Sequence, residues 1–243
     1  MIARKIRFLS VRAGHAAVFA SSLMDTTALW LTLKLALCTT LILLAVGLPL
    51  AWWLATTRRR WRFLVEAVVA LPLVLPPTVL GFYILIATGP GSFPGAKYLE
   101  WTGSTLPFSF PGILLASVLF NLPFAIRPFM AGFVAVPRDL MEASACLGAS
   151  PRRSFWRVAV PLAWPGILSG VILTFAHAVG EFGVVLMVGG NIPGVTRTLS
   201  ISLYDDVQAM NYERAGSTAV VLLVFAFATL CLASLLSRRR PCG

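Results

Sequence analysis

Charge is scarce in this sequence. Asp, Glu, Lys and Arg together make up 12% of 243 residues, about half the share of an ordinary soluble domain. That is too little polar side chain to cover a water-facing surface. Histidine is nearly missing, with only His15 and His177, so a histidine-built metal or catalytic centre lacks its ligands. No GxxxxGK[ST] run occurs, so the chain does not bind ATP through a phosphate loop. No nucleophile, histidine and acid assemble into a set. We therefore expect no catalytic residue, no metal and no cofactor in this chain. The four cysteines, Cys38, Cys146, Cys231 and Cys242, show no CxxC spacing and read as small apolar residues rather than a disulfide framework. Acidic residues number nine against twenty Lys and Arg, for a net charge of +11. In a soluble chain that excess would suggest nucleic acid. Here the bases sit in short clusters between apolar runs and read as orientation signals, so no nucleic-acid partner is expected.

What is abundant is apolar sequence, 58% of the chain, gathered into long runs. Five are long enough to cross a hydrocarbon core of about 30 Å as helices: Ala28 to Thr56, Phe63 to Ala87, Ile113 to Ala135, Leu162 to Val188, and Thr218 to Leu236. Lipid offers the backbone no partner, so each run must be helical. The chain is thus an all-α integral membrane protein embedded in a bilayer, with one transmembrane domain over residues 24–237. A basic tail covers 238–243. Arg58, Arg59, Arg60 and Arg62 join spans one and two. Arg138, Arg152, Arg153 and Arg157 join spans three and four, and Arg238, Arg239 and Arg240 follow span five. All three clusters share one side if odd spans run inward, which makes that side, and the C-terminus, cytoplasmic. Arg4, Lys5, Arg7 and Arg12 conflict with this orientation. A signal peptide, an interfacial helix, a sixth re-entrant element or a start at Met24 would each account for residues 1–23.

The connection at residues 136–161 carries the most local information. Pro137 suits a first helical turn and Asp139 its positive end. Leu140, Ala143, Ser144 and Leu147 fall on one helical face. Gly148 is a left-handed stop, and Ser150-Pro151 reads as the cap and first residue of a second helix. A short helix therefore lies across the mouth of the bundle. By physics alone it is either an amphipathic surface connector or a docking element.

The same stretch resembles the cytoplasmic loop of ABC importer permeases, Glu-Ala-Ala, three residues, Gly, nine residues, Ile-x-Leu-Pro. Here stand Glu142-Ala143-Ser144, Gly148 and Val158-Ala159-Val160-Pro161 at matching offsets. Ser144, Val158 and Val160 are the departures. Three further stretches are similar to the molybdate permeases of that family: Leu71-Pro72-Leu-Val-Leu-Pro76-Pro77 leading to Gly81, Gly180-Glu181-Phe182-Gly183, and Asn191-Ile-Pro193-Gly194-Val-Thr-Arg197-Thr198. The resemblance covers roughly residues 28–236. It implies a type I importer permease bundle of about five or six transmembrane helices in the inner membrane of a prokaryote, working as a homodimer. It also implies a pair of ATPase subunits that carry ATP and Mg and grip the loop helix, and an extracytoplasmic oxyanion-binding protein delivering molybdate or tungstate. Sulfate or thiosulfate is the nearest rival cargo. A secondary transporter or channel would predict internal repeats, and none is visible.

Pro72, Pro76 and Pro77 cannot all sit in an unbroken helix, so span two should bend or break, either as a packing kink or to free backbone for a polar path. Arg127 and Glu181 fall inside apolar runs, where a central charge costs about 2.5–3.5 kcal/mol. They should face the interior, each other or water, as a structural ion pair or as part of an anion route. Lys34 should snorkel from span one, and Glu66 should pair with the Arg58–Arg62 cluster.

Overall fold

A computed structural model describes residues 25–238. The expectations placed on residues 1–23, on Cys242 and on the tail beyond Arg238 lie outside the described residues. Helix α1 (Thr26–Thr56) opens on Asp25, whose carboxylate accepts from the amides of Thr27 and Ala28, both at 3.0 Å. Helices α2 (Arg62–Val74) and α3 (Pro77–Thr88) form a pair bent by 115°. A short helix α4 (Phe93–Thr102) leads to α5 (Phe110–Val134). Helix α6 (Arg138–Cys146) crosses the mouth of the bundle. A thirty-residue helix α7 (Pro151–Gly180) then begins, with one π-type turn at Phe155–Ala159. Helices α8 (Gly183–Gly189), α9 (Leu199–Gln208) and α10 (Tyr212–Arg238) complete the chain.

Four helices, α1, α5, α7 and α10, are long and apolar enough to span, and the bent α2/α3 pair is a fifth if taken as one broken span. The span expected from Leu162 to Val188 is not continuous. It stops at Gly180, turns through an extended Glu181 (φ −67°, ψ 133°), and resumes as α8. Glycine on both sides lowers the helical preference there, and the Glu181 side chain takes hydrogen bonds from Ser117 and Asn121 on α5. The connections after α3 and α8, which sequence patterning left without structure, hold α4 and α9.

The core is the packing of α1, α5 and α7. Leu43, Leu54, Ile126, Phe129, Phe133 and Ile167 form its centre, nearly free of exposed surface. Lipid tails are as apolar as these side chains, so close contact rather than the hydrophobic effect holds such helices together, and small residues set the approach distance. Gly132 on α5 meets Gly166 on α7. A Cβ built on Gly166 would lie 2.6 Å from the Gly132 Cα and 2.8 Å from the Pro128 carbonyl oxygen. One turn along α7, a Cβ on Gly170 would lie 2.5 Å from the Phe129 ring. Helix α10 stands at the periphery, touching α7 through Phe225 against Phe175 at 5.9 Å between ring centres.

Backbone cannot give way as a flexible side chain can. Gly166→Ala should therefore lower the stability of the purified protein by about 1–3 kcal/mol, the usual cost of overpacking. Gly216→Ala on α10, where a Cβ meets nothing within 4 Å, should leave it unchanged or slightly raised. Thermal unfolding in detergent reads both, and equal melting temperatures would contradict the tight crossing.

Candidate functional site

The two broken spans meet. Pro77, the first residue of α3, packs on Gly183, the first of α8: a Cβ on Gly183 would lie 2.9 Å from the Pro77 Cβ. Further along, a Cβ on Gly81 would lie 2.7 Å from the Cβ of Met187. The bend in the first span falls at Leu75–Pro76, and Pro72 sits inside α2 as a buried residue rather than at the break. Pro76 and Pro77 carry no amide hydrogen, so the break leaves fewer donors to satisfy. The amides of Val79 and Leu80 both reach the Pro76 carbonyl, at 3.0 and 3.2 Å. On the second span, the amide of Leu186 reaches the Phe182 carbonyl at 2.8 Å.

Between the breaks lies an open cleft of about 640 Å³ bordered by Pro77, Thr78, Phe120, His177 and the run Gly180 to Gly183. A buried polar network stands behind it. Glu181, 4% exposed, accepts through Oε2 from the Ser117 hydroxyl at 2.7 Å and from the Asn121 amide at 2.9 Å. The same amide nitrogen also donates to the Ser117 carbonyl at 2.9 Å. Asn121 Oδ1 faces His177 Nδ1 at 2.9 Å. Since Nδ2 faces only acceptors of these groups, Oδ1 is left to accept, and the network assigns a hydrogen to His177 Nδ1. The imidazole stacks on Phe124 with ring centres 3.8 Å apart and lies 5.3 Å from Phe120. Glu181 Oε1 is buried with no partner among the described residues.

Arg127 and Glu181 do not pair. No salt bridge joins them among the described residues, and Glu181 has neutral partners instead. Nor is Arg127 interior: it is exposed, on the rim of a separate cleft of about 290 Å³ with Leu54, Glu66 and Met130. Glu66 pairs with Arg62 at 2.6 Å, as expected. Lys34, also exposed, lies over the Phe110 ring at 4.4 Å.

The stretch after α8 is a fixed loop. Arg197 Nε donates to Asn191 Oδ1 at 2.6 Å, and its Nη2 lies 3.3 Å from Asp205 on α9. Asn191 Nδ2 closes the triangle on Asp205 at 2.5 Å. Gly194 takes φ +74°, while Pro193 is exposed beside it. The buried Thr32 hydroxyl accepts from the Leu199 amide at 2.8 Å, tying α9 to α1.

At the other end, α6 begins at Arg138, with Pro137 in the capping position rather than in the first turn. Its C-terminus is a Schellman motif. Gly148, at φ +77°, donates to the Ala145 carbonyl at 2.9 Å, and Ala149 to the Ser144 carbonyl at 3.0 Å. The Ser150 hydroxyl caps the next helix by accepting from Arg153. Ser144 hydrogen-bonds Ser154 at 2.8 Å, fastening α6 to the first turn of α7. No residue of α6 is buried. Glu142 and Ala143 are exposed, as is Pro161, while Val158 and Val160 are half-buried on α7.

Residues 47–240 match the family described as binding-protein-dependent transport system inner membrane component. The chain belongs to that family. Among its relatives, the molybdenum transport system permease protein ModB of Azotobacter vinelandii is 50% identical over 217 residues, 89% of this chain and 95% of the relative. The protein of the same name in Escherichia coli K12 is 34% identical over 212 residues, covering 87% and 93%. The sulfate transport system permease protein CysW of Synechocystis is 36% identical over 213 residues, covering 88% and 77%. Among solved structures, a bacterial ABC transporter that imports alginate aligns with TM-score 0.73 at 17% identity, covering 91% of this chain and 82% of that one. The MetNI methionine transporter aligns with TM-score 0.63 at 19%, covering 87% and 95%. At such identities these two structures speak for the fold, an all-helical ABC permease.

In this permease the resemblance motifs at Pro76–Pro77 and Gly180–Gly183 converge on one cleft, while Asn191–Arg197 and Glu142–Pro161 stand apart from it. Sequence reasoning missed Ser117, Asn121 and His177. The signal was present as polar residues four apart in apolar runs, Ser117 with Asn121 on α5 and His177 with Glu181 at the end of α7.

Asn121→Ala strips the Glu181 carboxyl of a donor and His177 of an acceptor, so it should cost about 1–3 kcal/mol of stability. Combined with Glu181→Gln, the loss should be smaller than the sum of the single losses, because the two side chains share one network. Strictly additive melting shifts would show that they do not interact.

Proposed function

We propose that this chain is the membrane-spanning subunit of an ATP-driven importer, and that its cargo is molybdate, with tungstate as an accepted analogue. The observation that carries this reading is the 50% identity to a molybdenum permease across 95% of that protein's length. The chain works as a homodimer whose basic clusters face the cytoplasm. A pair of ATPase subunits binds ATP and Mg, an extracytoplasmic protein delivers the oxyanion, and the permease itself does no chemistry.

Coupling runs through α6 and α7. Helix α6 offers the ATPase an exposed surface that includes Leu140 and, just beyond it, Leu147 at 89% exposure, with Trp156 of α7 nearby in sequence. Helix α7 then continues for thirty residues, about 45 Å of rod, from the Ser144–Ser154 contact to the break at Glu181. A displacement of α6 driven by ATPase closure is carried along that rod to the cleft at the other end. Arg127, exposed and without an ion-pair partner among the described residues, lies on α5 three residues beyond Phe124 and is a candidate contact for the anion along this route.

Cells lacking the gene should lose molybdoenzyme activity at trace molybdate and regain it when molybdate is abundant. Normal activity at trace molybdate with impaired sulfate uptake would move the cargo to sulfate, the function named for the Synechocystis relative. In the same uptake assay Arg127→Gln should transport less, and unchanged uptake removes it from the route.

Gly148→Glu should uncouple the machine. The site is open, since a Cβ there meets nothing within 4 Å, so the fold should survive a local cost of about 1–2 kcal/mol for the left-handed residue. The large anionic side chain projects where the ATPase would dock. The variant should fold but no longer co-purify with the ATPase or import. Wild-type binding and uptake would reduce α6 to a surface connector.

A further inference from the structure

We propose that His177 is the side chain that hydrogen-bonds the oxyanion in the cleft between the two broken spans, with Asn121 as the residue that orients it. The inference rests on the importer reading above and adds to it the contact at the gate. Glu181 and His177 both border the cleft, His177 in the last turn of α7 and Glu181 just past its end. Only one edge of the imidazole is free. Its Nδ1 is held by Asn121 Oδ1 at 2.9 Å, and its face is covered by Phe124 at 3.8 Å. Nε2 is left as the ring's open polar atom. The other polar groups on the neighbouring walls are Thr78 and the Glu181 carboxyl, whose Oε2 is taken by Ser117 and Asn121; Phe120, Pro77, Ala176 and Phe182 are apolar.

The tautomer decides what Nε2 can do. With Nδ1 donating to Asn121, a neutral ring presents a lone pair at Nε2, which repels an oxyanion whose oxygens are all acceptors. An imidazolium presents a second N–H. The ring therefore contacts the dianion as the cation, donating from Nε2 to one oxygen, while the Asn121 amide links the ring to the Glu181 carboxyl at 2.9 Å. The charged groups around the ring are few. Glu181 is joined to it through Asn121. On α5, Arg127 stands three residues beyond Phe124, towards the basic end. On α1, Lys34 is turned onto Phe110. On α3 the lining residues Pro77 and Thr78 carry no charge, and on α10 the packing partner Phe225 carries none. The proton that sets the contact is thus the one on His177.

The experiment is uptake of labelled molybdate in a deletion strain complemented with wild type, His177→Phe or His177→Arg, over about pH 5 to 8, the window in which an imidazole titrates. Wild-type import should weaken as pH rises through that window. His177→Phe should lose roughly tenfold to a hundredfold in uptake at limiting molybdate, the scale of one charge-assisted hydrogen bond. His177→Arg, a permanent cation, should import with a flattened pH profile. His177→Phe at wild-type rates, or His177→Arg with the wild-type pH slope, overturns the proposal. If His177→Phe lowers the amount of complex in the membrane, the His177→Arg profile still decides. A wild-type copy that restores no molybdate uptake sinks the importer reading and this proposal together, whereas wild-type uptake with unaffected variants sinks this proposal alone.

Discussion

A helix broken inside a bilayer exposes amide hydrogens and carbonyl oxygens to hydrocarbon, which has nothing to offer them. The structure of this permease is organised around two such breaks. At Pro76–Pro77 the cost is lowered because proline brings no amide hydrogen, and the following amides return to the Pro76 carbonyl. At Glu181–Phe182 no proline helps. There the glutamate side chain enters the interior and takes hydrogen bonds from Ser117 and Asn121. The breaks are packed against each other, Pro77 on Gly183 and Gly81 on Met187, so each shields the other from lipid. What remains open is the cleft between them.

The rest of the bundle supports that arrangement. Helices α1, α5 and α7 form a tight, small-residue core that fixes α5, and with it Ser117 and Asn121, at a set distance from α7. Gly132, Gly166 and Gly170 allow this closeness. The hydroxyl of Thr32 fixes the start of α9 to α1, and the Asn191–Arg197–Asp205 triangle fixes the loop that leads there. A thirty-residue helix leads from α6 to a point where the backbone has no helical continuity.

The deviations from expectation share a physical origin. Arg127 and Glu181 were expected to face the interior, each other or water, because a lone charge is costly in hydrocarbon. Glu181 instead found neutral donors four residues apart on α5, and Arg127 found an open cleft with Glu66 nearby. The Leu162 to Val188 run was apolar enough to span without interruption, and its hydropathy gave no weight to the flanking glycines. Ser144, a departure from the alanine of the loop signature, proved to hydrogen-bond Ser154 and so to tie α6 to the spanning α7.

Local chemistry was legible in the chain by itself. Long apolar runs dictate spanning helices because only helices close their own hydrogen bonds. Pro76–Pro77 dictates a break because proline lacks a donor. Gly148, Ser150 and Pro151 dictate a stop and a restart because φ, capping and ring geometry act over a few residues. Tertiary structure decided what depends on partners far apart in sequence. Ser117 lies 64 residues from Glu181, and Asn121 lies 56 from His177. No periodicity brings such pairs together. Only the close crossing of α5 and α7, set by glycine against glycine, places an asparagine where it can join a carboxyl at a broken helix to an imidazole on the wall of a cleft.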